Sequence, residues 1–89
     1  MNEYEEILAS KRAIRVLSIA AEHRELTNTE LVRKAGIDHV IGDSIVRQLV
    51  ESGLLIDEYQ GRNRVIKPGF RSYQVLFVKD HGIETELIQ

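Results

Sequence analysis

The stretch from Thr27 to Leu55 constrains the fold of this chain more than any other part of the sequence. It reads as a short helix, a tight turn at residues 35–37 and a second helix that ends at Gly53. Two short helices joined by a turn of this length form a helix-turn-helix. The second helix of such a unit can enter the major groove of DNA.

The ends of these two helices carry local start and stop signals. Thr27 and Glu30 have the T-x-x-E spacing of a capping box, which satisfies backbone N–H groups at a helix start. Gly36 stands where a helix end favours positive φ, and Asp38 is suited to cap the next helix. Gly42 lowers helix propensity there, so a later start with Asp43 as the N-cap is the alternative. The apolar residues of this second helix recur at helical spacing: Ile41, Ile45, Val46, Leu49 and Val50.

A β-hairpin signal follows directly, with strands at residues 54–59 and 64–67 around a turn at 60–63. Together with the helix-turn-helix, the segment LVESGLLIDEYQGRNRVIKPGF resembles the winged-helix family, and the resemblance covers roughly residues 10 to 82. It implies an α+β winged helix-turn-helix fold in the order helix, short strand, helix, turn, helix, β-hairpin wing and C-terminal helix. The short strand falls at residues 25–27, with Leu26 pointing into the core. We expect one domain over residues 1–89, with an N-terminal helical extension at 1–10 and a C-terminal tail at 83–89.

The composition is that of an ordinary soluble globular protein, with 43% hydrophobic and 29% charged residues in a chain of 89. The sequence has no cysteine, which excludes disulfides and thiolate metal sites. The first residues are acidic where a signal peptide needs bases, and no apolar run reaches membrane-spanning length. We therefore expect a cytoplasmic, nucleoid-associated protein with no membrane partner.

The charge distribution is more informative than the total. A net charge of −2 and a pI near 5.9 argue against nucleic-acid binding. Between Tyr59 and Lys79, however, there is no Asp or Glu, and fields in physiological salt decay within about 8 Å. The basic hairpin tip either meets backbone phosphate or is a solvated edge kept soluble by charge. The positive residues of the whole acid-free stretch are Arg62, Arg64, Lys67, Arg71 and Lys79.

Both ends of the chain are predicted to be helical and apolar on one stripe or more. Residues 3–22 read as one long helix, or Ser10 caps a shorter helix that begins at Lys11. Residues 67–69 open a fourth helix that Gly82 caps, with Phe70, Tyr73, Leu76 and Phe77 as its stripe. The first and fourth helices either pack on each other or form a homodimer interface. The residues assigned to that interface are Tyr4, Ile7, Leu8, Tyr73, Phe77, Leu87 and Ile88.

The winged-helix resemblance implies a DNA-binding surface centred on the second helix of the helix-turn-helix. Arg47 pairs with guanine acceptors and Gln48 with the edge of adenine, while Ser44 reaches phosphate or a base edge. Asp43 repels phosphate and is useful only for accepting from a cytosine amino group. The remaining candidates are His39 on the same helix, Arg62 and Arg64 on the wing, and Arg33, Lys34 and Lys67 at phosphates.

No catalytic or cofactor pattern accompanies this surface. His39, Asp43 and Ser44 are close in sequence but lack the strained turn and oxyanion donors of a nucleophilic site. The three histidines have no paired metal-ligand spacing, and there is no phosphate-binding loop. We expect no enzymatic activity, no cofactor and no metal.

The sequence as a whole predicts a homodimeric transcriptional regulator that binds double-stranded DNA sequence-specifically. Dimerisation through helices one and four would place half-sites about 34 Å apart in a palindromic operator. The alternative is a winged helix used only as a protein–protein module. The acidic total and Asp43 on the second helix favour that alternative.

Overall fold

The computed structural model describes residues 10–89, which form three helices followed by two antiparallel hairpins. This confirms the α+β class predicted from the sequence. The elements are α1 (Lys11–His23), α2 (Asn28–Ala35), α3 (His39–Glu51), β1 (Leu55–Gln60), β2 (Asn63–Pro68), β3 (Ser72–Val78) and β4 (Gly82–Ile88).

The predicted caps define the helices. Ser10 caps α1 by accepting a hydrogen bond from the Ala13 N–H at 3.2 Å, so the shorter of the two predicted first helices is the one described. The Thr27 hydroxyl oxygen accepts from the Glu30 N–H at 3.2 Å and donates to the Glu30 carboxylate at 3.0 Å. Gly36 has φ of 69°, as predicted for a helix end.

Strands β1 and β2 form the first hairpin, which confirms the predicted strand–turn–strand segment. Gln60 pairs with Asn63 across a two-residue loop of Gly61 and Arg62. The predicted short strand is a single bridge between Leu26 and Ile66, with N···O distances of 3.0 and 2.6 Å. This bridge ties the chain between α1 and α2 to the first hairpin.

The hydrophobic core lies between the three helices and the first hairpin. Apolar faces of α1, α2 and α3 supply most of it, and helical spacing predicts those of α2 and α3. On α1 the buried residues include Val16 and Ile19, whereas Ile14 is 45% exposed. The most completely buried large side chains are Leu31, Leu49, Leu54, Leu55, Ile66, Val16 and Val46.

The predicted fourth helix is wrong, because residues 72–88 form a second antiparallel hairpin of β3 and β4. Phe70, Tyr73 and Phe77 fit helical spacing, but Tyr73, Val75 and Phe77 also alternate as a strand requires. Gly82 does not cap a helix; it pairs with Val78 at the end of the hairpin loop, with φ of 92°. The segment predicted as a C-terminal tail is therefore largely strand β4.

Candidate functional site

Helix α3 exposes one polar face beside the first hairpin. Val46 and Leu49 are buried and hold the helix on the core, which leaves Ser44, Arg47 and Gln48 exposed to solvent. The thirteen residues of α3 give it a length of about 20 Å. These three side chains lie where the sequence predicted the base-reading surface.

The start of α3 is fixed by a cap and a close approach to α2. The Asp38 carboxylate accepts from the Val40 N–H at 3.1 Å, so Asp38 is the N-cap and the alternative start at Asp43 is wrong. Gly42 is buried against Val32 of α2, and a Cβ at residue 42 would overlap the Cγ1 atom of Val32. Glycine is therefore needed here because it lets the two helices approach closely.

Asp43 is engaged within the protein. Its Oδ1 accepts from Asn28 Nδ2 at 2.6 Å, and its Oδ2 lies 3.2 Å from Nε2 of His39. The side chains of His39 and Asp43 are 66% and 36% exposed, so this pair lies at the surface. The carboxylate therefore orients α3 against the first turn of α2 as well as facing solvent.

Two basic residues of the first hairpin are paired with acids across the strands. Arg64 Nε donates to Asp57 Oδ1 at 2.7 Å, and Lys67 Nζ lies 2.8 Å from Glu58 Oε2. The hydrogen bond from Arg64 lowers the pKa of Asp57, and the Glu58 carboxylate raises the pKa of Lys67. Both acids lie on β1, before the acid-free part of the sequence. The antiparallel register of β1 and β2 places Arg64 and Lys67 next to them.

The other predicted phosphate-binding residues have no ion pair with any residue in the described range 10–89. Arg33 and Lys34 are exposed in the last turn of α2, and Arg62 is exposed on the loop of the first hairpin. Within residues 10–89, these three and Arg47 have no ion-pair partner. Their charge is free to act on a ligand.

A groove between α3 and the first hairpin is lined by both basic and acidic side chains. Arg47 and Arg64 line it, together with Asn28 from the first turn of α2. Three carboxylates line the same groove: Asp43, Glu51 and Asp57. This surface is therefore of mixed charge, which a count along the sequence did not indicate.

Apolar side chains surround the start of α3. Val40 is 76% exposed, and Ile41, which belongs to the helical apolar spacing, is 39% exposed. Ile41 also lines a groove with Lys11, Arg12 and Arg15 of α1. The first turn of α3 therefore presents an apolar edge to solvent.

Four of the predicted dimer residues are within the described range, and all four lie on strands. Tyr73 and Phe77 are on β3, and Leu87 and Ile88 are on β4. Leu87 pairs with Tyr73 and lies on the Phe77 side of the hairpin, whereas Ile88 pairs with Ser72 on the opposite side. The remaining three, Tyr4, Ile7 and Leu8, lie outside the described residues.

Sequence reasoning missed Asn28 and the roles of Asp57 and Glu58. Asn28 meets Asp43 across fifteen positions of sequence, and no local pattern connects the two. The acids of β1 had a usable signal, because the two-residue turn fixes the hairpin register. That register sets Asp57 diagonally across from Arg64 and Glu58 diagonally across from Lys67.

No helix within residues 10–89 is both long and apolar enough to cross a membrane. Over the same residues, no cluster of His, Asp or Glu side chains has the size of a metal site. Comparisons with protein-family models, curated proteins and solved structures found no match to this chain. The functional conclusions below therefore rest on its own residues.

Proposed function

We propose that this protein binds double-stranded DNA sequence-specifically, as a homodimeric transcriptional regulator of the winged-helix type. The observation that carries this proposal is the exposed face of α3, where Ser44, Arg47 and Gln48 stand clear of the core. The helix is capped by Asp38 and packed closely on α2, which fixes its position on the core. A helix held in this way, with these side chains facing solvent, suits readout in a major groove.

Each exposed residue has a separate role in this proposal. Arg47 and Gln48 contact base edges, because their side chains make bidentate contacts with guanine and adenine respectively. Arg33, Lys34 and Arg62 contact phosphates, because they have no protein ion-pair partner within residues 10–89. Arg64 and Lys67 contribute less, since Asp57 and Glu58 already neutralise them.

The exposed His39 borders the same surface, with its Nε2 atom 3.2 Å from Oδ2 of Asp43. The Asp43 carboxylate still repels phosphate, so in this proposal it faces bases and not the DNA backbone. A cytosine amino group remains a possible donor to Asp43.

The test is selection of bound sites from a random duplex library at about 50 mM salt, followed by anisotropy titrations over a salt series. Arg47→Ala should lose about 1–3 kcal/mol of discrimination at one base position. Arg62→Ala should weaken all sequences equally and reduce the salt slope by about 1.

Arg71→Ala is the matched control, because Arg71 is also an exposed arginine but lines a groove with the last turn of α1. It should bind the selected site as the wild type does. Absence of retention by the wild-type protein at low salt would refute DNA binding.

The second candidate function is a protein–protein interaction module. Its specific support is the set of carboxylates at Asp43, Glu51 and Asp57 beside α3, with Val40 exposed at the helix start. Apolar surface with mixed charge around it suits a protein surface better than a phosphate backbone. Under this alternative, DNA affinity is absent at every salt concentration.

A further inference from the structure

The second hairpin has one continuous apolar face. Residues directly opposite in antiparallel strands share a face, and the pairs here are Tyr73 with Leu87, Val75 with Thr85 and Phe77 with Ile83. We call these six side chains the hairpin face. The other side of the hairpin carries Gln74, Glu84 and Glu86 beside its apolar residues.

Within residues 10–89, only the base of the hairpin face reaches the hydrophobic core. Tyr73 and Leu87 pack against the core, and the Tyr73 ring lies 6.0 Å from the ring of Phe70. Towards the hairpin loop, Phe77 is 81% exposed and Ile83 is 37% exposed. A two-stranded hairpin is marginally stable by itself, so covering this end would stabilise it.

We propose that a second copy of this chain covers the loop end of the hairpin face, so that two hairpins pack face to face about a two-fold axis near Phe77. A two-fold interface brings each surface against itself, so like charges on it would repel. The hairpin face has no charged side chain, and Tyr73 is its only ionisable residue. The opposite side has Glu84 and Glu86, which would repel their counterparts.

The chain's own first nine residues are a less suitable partner for this surface. They carry acids at positions 3, 5 and 6, and the six residues of the hairpin face carry no positive charge to meet them.

The exposed area limits the size of the interface between the two copies. With Phe77 81% exposed, its side chain offers about 160 Å², taking about 200 Å² for a whole aromatic side chain. Two such rings bury about 320 Å² of their own surface and a similar area of the partner surface that they cover. The total is on the order of 600 Å², which is below the range of stable dimers. We therefore expect a weak dimer, which a palindromic duplex strengthens by holding two copies together. This specifies the homodimer of the proposed function and rests on it, but its test needs no DNA.

The experiment is sedimentation velocity of the full chain from about 5 to 500 µM, the range in which so small an interface is populated. The wild type should shift from monomer towards dimer, whereas Phe77→Lys should remain monomeric. Leu76→Lys is the matched control, because Leu76 is the neighbouring exposed apolar residue on the other side of the hairpin. It should associate as the wild type does.

A mixture of Phe77→Lys with Phe77→Glu keeps the test independent of folding. Across the two-fold axis, lysine would meet glutamate, so the mixture should associate although neither variant does so alone. The proposal is overturned if the wild type stays monomeric at 500 µM, or if Phe77→Lys associates normally. It is also overturned if the mixture stays monomeric. DNA binding by a wild type that never dimerises would remove this interface and leave the DNA proposal standing.

Discussion

The replacement of Gly42 by alanine tests how closely α2 and α3 pack. In an exposed helix position this change would stabilise the protein by about 1 kcal/mol, because alanine has the higher helix propensity. Here the new Cβ overlaps Cγ1 of Val32 and comes within 2.9 Å of Cγ2. Rotation of the valine side chain brings one methyl group into the place of the other, so the helices themselves must separate.

Overpacking of this kind costs about 1–3 kcal/mol, and with both methyl groups affected we expect the upper part of that range. After the propensity gain, Gly42→Ala should destabilise the fold by about 1–2 kcal/mol. This corresponds to a melting temperature lower by about 5–15 °C in a domain of this size. Urea denaturation followed by circular dichroism measures the free energy of unfolding directly.

A double-mutant cycle with Val32→Ala isolates the contact. Val32→Ala alone should destabilise the protein by about 2 kcal/mol through lost methyl groups and the cavity left behind. In that background Gly42→Ala should become neutral or stabilising by up to about 1 kcal/mol. Ser44→Ala, at an exposed position of the same helix, should change stability by less than about 0.5 kcal/mol. A stabilising Gly42→Ala in the otherwise wild-type chain would show that the reasoning is wrong.

Three further predictions concern a helix cap, an ion pair and the dimer. Asp38→Ala should lower the free energy of unfolding by about 1 kcal/mol, because it removes the acceptor of the helix cap. Asp38→Asn keeps a side-chain acceptor and should lower the free energy of unfolding much less. Equal losses for the two variants in urea denaturation would contradict the cap. The lowered pKa of Asp57 means that its pair with Arg64 stabilises the fold above about pH 4 and loses that contribution as pH falls through the lower, folded-state pKa. The unfolding midpoints of wild type and Asp57→Asn should therefore converge in acid, and at neutral pH the variant should bind DNA with a steeper salt slope because Arg64 is released. Phe77→Lys should keep half-site affinity for DNA but lose cooperativity on a palindrome in a gel-shift titration, and retained cooperativity would contradict the hairpin interface.

The ion pairs of the first hairpin bear directly on the choice between the two candidate functions. An acid-free part of the sequence suggested free positive charge, but the strand register places Asp57 and Glu58 against two of its basic residues. The charge left for a DNA backbone is concentrated at Arg33, Lys34 and Arg62. A DNA-binding protein of this kind should therefore show a modest salt slope, set by few phosphate contacts.

The sequence by itself determined the features that act within a few residues. The caps at Thr27 and Asp38 and the first hairpin were all predictable, because a cap or a tight turn depends on neighbouring side chains and backbone. Helical spacing likewise predicted the buried faces of α2 and α3, and the three helices and the first hairpin predicted from the sequence are confirmed. The exposed face of α3 followed from the same spacing.

The tertiary structure decided everything that depends on pairing between distant residues. Residues 72–78 fit both helical and strand spacing, and only their partner strand at residues 82–88 makes the strand the more stable choice. The alternating apolar residues of that partner strand, from Ile83 to Leu87, were the signal that could have identified it. Gly42 likewise looked like a weak point in a helix until Val32 was placed against it, and Asp43 looked free until Asn28 was. Such contacts carry no local signal, because their energy appears only when folding brings the two residues together.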